Sequence, residues 1–116
     1  MANNPVLFVE YPRCTTCRKA KKWLDEHGVV YEDRHIVDNN PTAGELRAWV
    51  EASGLAVRRF FNTSGKLYRE LGMKDRFAAG IDDEECLELL ASNGMLVKRP
   101  LVIGDGFVLV GFREAE

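Results

Sequence analysis

Residues 5–36, PVLFVEYPRCTTCRKAKKWLDEHGVVYEDRHI, constrain the fold more than any other stretch of the chain. The apolar run from Pro5 to Tyr11 predicts a buried strand that ends at Pro12, where the ladder loses a donor. From about Thr15 the pattern becomes helical. Ala20, Trp23, Leu24 and His27 recur at three- and four-residue spacing, Lys and Arg fill the opposite face, and Gly28 stops the run. Val29 to Ile36 then alternates and contains β-branched residues, which predicts a second strand. Strand, helix and strand within about thirty residues make a βαβ unit, and such a unit requires parallel strands.

The remaining chain adds helices and then a hairpin. NNPTAGELRAWVEASG places Thr42 and Glu45 at capping-box spacing, puts Leu46, Trp49 and Val50 on one face, and ends at Gly54. Shorter helices are predicted from Gly65 to Gly72 and from Asp82 or Asp83 through EECLELLASNG to Asn93-Gly94. In RPLVIGDGFVLVGF two apolar runs flank Gly104-Asp105-Gly106, a turn signal for a hairpin. Only REAE is left for a final helix. With no repeats, low-complexity tracts or linkers, residues 1–116 read as one α/β domain. A parallel pair plus a hairpin gives a four-stranded mixed sheet. This is a thioredoxin-like fold with a helical insertion between the βαβ unit and the C-terminal hairpin.

Bulk composition narrows the function classes. A chain with 46% hydrophobic and 29% charged residues leaves no room for a large disordered region. Its net charge of −2 gives no basic footprint for nucleic acid. MANNPVLFVEYP has no signal-peptide pattern, and no segment approaches the roughly 20 apolar residues of a membrane span. The expected location is cytoplasmic, where the three cysteines read as thiols rather than as a disulfide framework.

On spacing alone, Cys14-Thr-Thr-Cys17 is a redox pair, half of a metal site, or two small residues at a helix start. Zinc needs two further ligands, and Cys86, His27 and His35 offer no second pair at ligand spacing. The strand–loop–helix context favours redox chemistry. A thiol at a helix N-terminus meets unpaired backbone N–H groups and the positive end of the helix dipole, which favour its thiolate. Arg13, Arg18 and Lys19 add cationic charge nearby in sequence. Cys14 is then the exposed nucleophile, and Cys17, one turn on, is placed to resolve a mixed disulfide. Cys86, on an amphipathic helix with Leu89 and Leu90, reads as a small buried hydrophobe. His27 and His35 read as structural or solvated, and Phe60-Phe61 as core. Arg99-Pro100 opens the hairpin. The residues alone favour a trans proline beside a solvated Lys98-Arg99 pair. The thioredoxin-like alternative is a cis proline against the active-site cysteine, which brings Arg99 toward Cys14.

CTTCRKAKKWLDEHGVVYEDRHI, PTAGELRAWVEASGL, FFNTSGKLYRELG and GMLVKRPLVIGDG together resemble the ArsC/Spx family of arsenate reductase-like, thioredoxin-fold proteins, in order and over nearly the whole chain. The resemblance is greatest to its small, functionally unassigned members. It implies Cys14 as the catalytic cysteine and Arg99 as one oxyanion-binding arginine. A second family arginine falls at about Asn62, where it is missing, and a third near Phe112, with Arg113 one place away. The expected catalytic set is Cys14, Cys17 and Arg99, and the expected substrate surround is Arg13, Thr15, Thr16, Arg18, Asn62 and Pro100. No metal or bound cofactor is expected. Electrons would come from glutathione with glutaredoxin, or from thioredoxin, and the substrate would be a small oxyanion or a disulfide. The Spx branch implies a different use of the motif, as a redox switch in a regulator that binds the RNA polymerase α C-terminal domain. Gly54 falls close to a glycine of that contact. Regulators of that branch continue into a longer C-terminal helical segment, whereas this sequence ends just after the hairpin. The expected function is therefore an arsenate reductase-like thiol–disulfide oxidoreductase, with the Spx-like regulator as the alternative. Neither direct nucleic-acid binding nor a membrane is expected.

Overall fold

The computed structural model describes residues 5–111. Its elements in order are β1 (Val6–Glu10), α1 (Thr15–Glu26), β2 (Tyr31–His35), α2 (Ala43–Ser53), α3 (Lys66–Glu70), α4 (Met73–Ala78), α5 (Asp83–Ser92), β3 (Leu101–Gly104) and β4 (Phe107–Val110). Strands β1 and β2 pair in parallel, with Val6 opposite Tyr31 and Glu10 opposite His35. Strand β3 runs antiparallel to both β1 and β4, so the order across the mixed sheet is β2-β1-β3-β4. Asp105-Gly106 makes the two-residue hairpin turn, with Gly106 at φ 79°.

Alternation along β1 decides the layers. Phe8 packs with Ala20 and Leu24 of α1 on one face, and Val9 joins Leu46, Trp49, Leu87 and Leu90 of α2 and α5 on the other. Helix α1 thus covers one side of the sheet and the inserted helices the other. Thr42 and Glu45 form the capping box of α2. The Thr42 hydroxyl accepts from the Glu45 N–H at 3.1 Å, and the Glu45 carboxylate accepts from the Thr42 N–H at 3.0 Å. The same carboxylate takes a two-pronged ion pair from Arg34 on β2, at 2.7 and 2.9 Å, tying the insertion to the βαβ unit. Cys86 is buried in the larger core, as are Phe60 and Phe61.

Within the insertion the structure departs from the pattern reading. The helix predicted from Gly65 to Gly72 is α3 alone. Gly72, at φ 63°, breaks it and restarts the chain as α4, which the sequence reading left out. Met73 and Phe77, four residues apart, turn inward and justify that extra helix. The last predicted helix ends at Ser92. Asn93 then caps a short 3₁₀ turn, Gly94–Leu96, by accepting from the Met95 N–H at 2.9 Å. Only glycine fits at 94, since a Cβ there would lie 2.1 Å from the Ile36 carbonyl oxygen. No helix among the described residues is long and apolar enough to cross a membrane. The REAE tail lies outside the described residues.

Candidate active site

Cys14 is the N-cap residue of α1. Its own N–H donates to the Tyr11 carbonyl at 2.9 Å and its carbonyl accepts from the Arg18 N–H at 3.0 Å. This backbone geometry puts the side chain where an N-cap oxygen would usually sit, facing the free N–H groups of the first turn. The neutral thiol makes no capping hydrogen bond. The thiolate is the better acceptor for that position. Partial burial works against its ionisation. The Cys17 N–H, the Cys17 thiol and the Thr16 N–H, together with the charge of Arg99, outweigh burial and hold Cys14 below the ordinary value of 9.0.

Cys17 behaves in the opposite way. It begins the buried stripe Cys17, Ala20, Leu24 and is fully enclosed. Burial pushes its thiol up to about 12. A hydrogen bond from the Tyr11 N–H, 3.5 Å from its sulfur, works in the other direction, whereas the neighbouring Cys14 and Glu10 add to the rise. One turn of helix therefore carries two thiols in opposed environments, both reduced in this structure.

Cys14 and Thr16 form one wall of a cavity of about 1040 Å³. The opposite wall comes from the insertion and the chain leading into the hairpin. Phe61 bridges Val97 in antiparallel fashion, the Asn62 N–H donates to the Leu96 carbonyl at 2.8 Å, and the Lys98 N–H donates to the Phe60 carbonyl at 2.7 Å. This pairing brings Asn62, Thr63 and Ser64 alongside Lys98 and Arg99. Arg58, Arg59 and Lys66 complete a basic rim in which Glu70 is the acidic lining residue. Arg99 donates from one guanidinium nitrogen to the Met95 and Val97 carbonyls at 3.1 and 3.3 Å, and the group lies over the Tyr11 ring, 5.3 Å from its centroid. The Arg99–Pro100 peptide is cis.

The cavity therefore gathers Cys14, Thr16, Asn62 and Arg99 from the residues singled out in the sequence. Cys17 sits behind Cys14, and Pro100 is buried beside Arg99 without lining the cavity. Arg13, Thr15 and Arg18 do not line it either. Arg18 lies a quarter-turn or so past Cys17 on the solvent side of α1, and its guanidinium bonds the Arg13 carbonyl at 3.3 Å. The cation acting on Cys14 is Arg99 rather than these neighbours in sequence. Phe112 and Arg113 lie outside the described residues. Sequence reasoning missed Arg58, Arg59, Lys66 and the cavity role of Lys98. The Arg-Arg pair before Phe60-Phe61 was a visible charge signal, but only the pairing of Phe61 with Val97 aims it at the cysteine loop.

The histidines serve the backbone. His35 Nδ1 accepts from the Val37 and Asp38 N–H groups at 3.1 and 3.0 Å, and His27 stacks on Trp23 with ring centroids 3.9 Å apart. Among the described residues no group of three His, Cys, Asp or Glu side chains is arranged to hold a metal ion.

The ArsC family model matches residues 9–116. The chain is 53% identical over 107 residues to the uncharacterized protein YusI of Bacillus subtilis, covering 92% of this chain and 90% of that one. It is 32% identical over 108 residues to the global transcriptional regulator Spx of Enterococcus faecalis, covering 90% of this chain and 77% of the regulator. The crystal structure of an ArsC family related protein from Bacteroides fragilis superposes with a TM-score of 0.93 at 52% identity, covering 98% of this chain and 95% of that one. A matching family model over almost the whole chain, and a thiol at the start of the first helix facing a basic cavity, place this protein in the ArsC family.

Proposed function

We propose that the protein is an arsenate reductase-like thiol–disulfide oxidoreductase in which Cys14 attacks and Cys17 resolves. The observation that carries this reading is the opposed state of two thiols one turn apart. One is held below its ordinary value on a cavity wall, and the other is buried and pushed up to about 12. A low thiol is largely poised as the nucleophile, and a high one stays protonated until a disulfide bond forms beside it. Arg99, Lys98, Arg58, Arg59 and Lys66 favour an anionic substrate, either a disulfide bearing carboxylates or a small oxyanion. Thr16 and Asn62 supply neutral hydrogen-bonding groups on facing walls. With Asn62 where the family's second arginine would strengthen an oxyanion site, the cavity suits an anionic disulfide better than arsenate. The reductant in this reading is glutathione with glutaredoxin, or thioredoxin, in the cytoplasm.

Turnover of an anionic disulfide and of arsenate, assayed side by side with the same reductant, tests the reading. Faster reduction of the disulfide is the expected result. Arsenate turnover exceeding it would overturn the substrate assignment, and no turnover of either would overturn the enzyme. The alternative is a regulator that docks on the RNA polymerase α C-terminal domain, supported by the Spx relative. Gly54, exposed and at φ 71° at the end of α2, is the residue that would meet it. Co-purification with that domain in the absence of disulfide turnover would favour the regulator.

A further inference from the structure

The cavity beside Cys14 carries more positive charge than its own carboxylate balances. Its lining sets Arg58, Arg59, Lys66, Lys98 and Arg99 against Glu70, in a chain whose formal net charge is −2. Lys66 meets the Glu70 carboxylate at 3.6 Å. Arg58, Arg59, Lys98 and Arg99 have no carboxylate partner among the described residues. Lys98 and Arg99 are also half-buried. A cation partly withdrawn from water without a counterion costs stability, and an anion arriving beside it offsets that cost.

Two ring contacts mark how far the positive lining extends. Arg99 lies over Tyr11, 5.3 Å from the ring centroid, and the Tyr11 carbonyl takes the Cys14 N–H at 2.9 Å. Arg58 lies over Phe77 of α4 at 5.0 Å, and Phe77 packs edge-on against Phe61 with centroids 5.2 Å apart. One guanidinium is thus held at the cysteine loop and the other in the insertion. Stacking fixes a guanidinium without using its in-plane donors. In Arg99 both bonds to carbonyls come from Nη1, so Nε and Nη2 keep their N–H groups for a ligand.

Size and charge then separate the candidate ligands. A cavity of about 1040 Å³ stands at the upper end of the range of roughly 300–1,000 Å³ that holds drug-sized molecules, so a small oxyanion leaves most of it empty. Half of glutathione disulfide sets two carboxylates against an ammonium, a net charge of about −1. That leaves most of the unpaired cations unbalanced. A phosphomonoester by itself carries about −1.5 to −2 at pH 7, and guanidinium groups meet phosphate in two-pronged geometry. A thiol whose far end bears phosphomonoester and diphosphate groups supplies the balancing charge over the length of the lining.

We propose that the substrate is the disulfide of a phosphorylated, nucleotide-bearing thiol, its sulfur at Cys14 and its phosphates along Arg58, Arg59, Lys98 and Arg99. The inference rests on the exchange reading above and names the anion. In the first step the Cys14 thiolate bonds one sulfur of the disulfide. The substrate S–S bond breaks, and one phosphorylated thiol leaves as a thiolate with the electron pair. Cys17 then loses its proton to water and bonds the Cys14 sulfur, and the second phosphorylated thiol leaves in the same way. The protein sulfurs end oxidised as a disulfide, the substrate ends reduced to two thiols, and a dithiol reductant restores the protein.

Rapid-quench mixing of the reduced full chain with three disulfides, read by intact mass, tests the proposal. Coenzyme A disulfide carries the phosphates, pantethine has the same thiol arm without them, and glutathione disulfide carries carboxylates. Each rate is divided by that of the same disulfide with free dithiothreitol, which removes intrinsic reactivity. At low salt coenzyme A disulfide should then exceed pantethine by about thirtyfold or more, as one or two charge-assisted hydrogen bonds allow, and should exceed glutathione disulfide. Added salt should narrow the gap. Arg58→Gln combined with Arg59→Gln should lower the ratio of coenzyme A disulfide to pantethine by about fivefold or more. Because that ratio is taken within one protein, a loss of folded molecules cancels. Equal rates for coenzyme A disulfide and pantethine, glutathione disulfide reacting fastest, or an unmoved ratio in the double variant would overturn the proposal alone. Failure of all three disulfides to oxidise the wild type would overturn the exchange reading, and this proposal with it.

Discussion

Alkylation of the two cysteines at pH 7 should differ by a factor that follows from their surroundings. With its thiol pushed up to about 12, Cys17 is ionised in about one molecule in 10⁵ at that pH. Cys14, held below 9.0, is ionised in more than about one in 100. The populations of thiolate thus differ by at least a thousandfold. Intrinsic nucleophilicity acts in the other direction, because a thiolate of higher pKa is the stronger nucleophile, with a Brønsted coefficient of about 0.4–0.5. Three units of difference then return a factor of about 15–30, which leaves Cys14 ahead by about 30-fold or more. Enclosure of Cys17 widens the margin, since the reagent must reach a sulfur with no exposed surface. The assay is iodoacetamide modification across pH, with each cysteine quantified by peptide mass spectrometry. Cys14 should react first and titrate below the ordinary thiol value. Equal rates, or faster reaction at Cys17, would refute the argument from cap geometry and burial.

Other perturbations test the frame and the cavity. Glu45 is held down to about 2 by the Arg34 guanidinium, so the stability it contributes is present above 4.5 and lost as pH falls through about 2. Because the carboxylate is 37% exposed, solvent screening reduces that contribution to about 1–2 kcal/mol. Glu45→Gln should lower stability by this amount in neutral urea titrations and flatten the acid dependence, and an unchanged acid limb would contradict it. Gly94→Ala forces a Cβ against the Ile36 carbonyl and should cost roughly 2–3 kcal/mol or more, seen as a lowered Tm. A wild-type Tm would show that the close approach relaxes freely. Asn62→Arg should tighten sulfate binding about tenfold in calorimetric titration, as one added charge-assisted hydrogen bond allows, and Arg99→Ala should weaken it by a similar factor. Unchanged affinity in both would remove the anion site.

The βαβ unit and the hairpin were legible because their signals are local. Period two, period 3.6, a proline stop and an Asp-Gly turn each act over a few residues. Cys14 and Cys17 were assigned different environments for the same reason, since a helix start fixes which residue caps and which is enclosed. The cationic surround was misplaced because it is not local. Arg13 and Arg18 are adjacent to the cysteines in sequence yet lie on the outside of the loop and helix. Arg58, Arg59 and Lys98 arrive through a backbone pairing between Phe61 and Val97, 36 positions apart in the chain. Helix α4 was missed because six residues with two inward side chains give too little periodicity to stand out. Glu10 was hidden inside an apolar run, where its burial depends on α1 folding back across the sheet.

Intact-mass analysis of the wild type and Cys17→Ser after exposure to glutathione disulfide tests the central claim most directly. The account predicts that the variant stops as a stable mixed disulfide mapped to Cys14. The wild type passes through that species to an intramolecular Cys14–Cys17 disulfide, leaving Cys86 reduced. A glutathione adduct on Cys17 or Cys86 in the wild type, or a dominant bridge from Cys14 to Cys86, would contradict it.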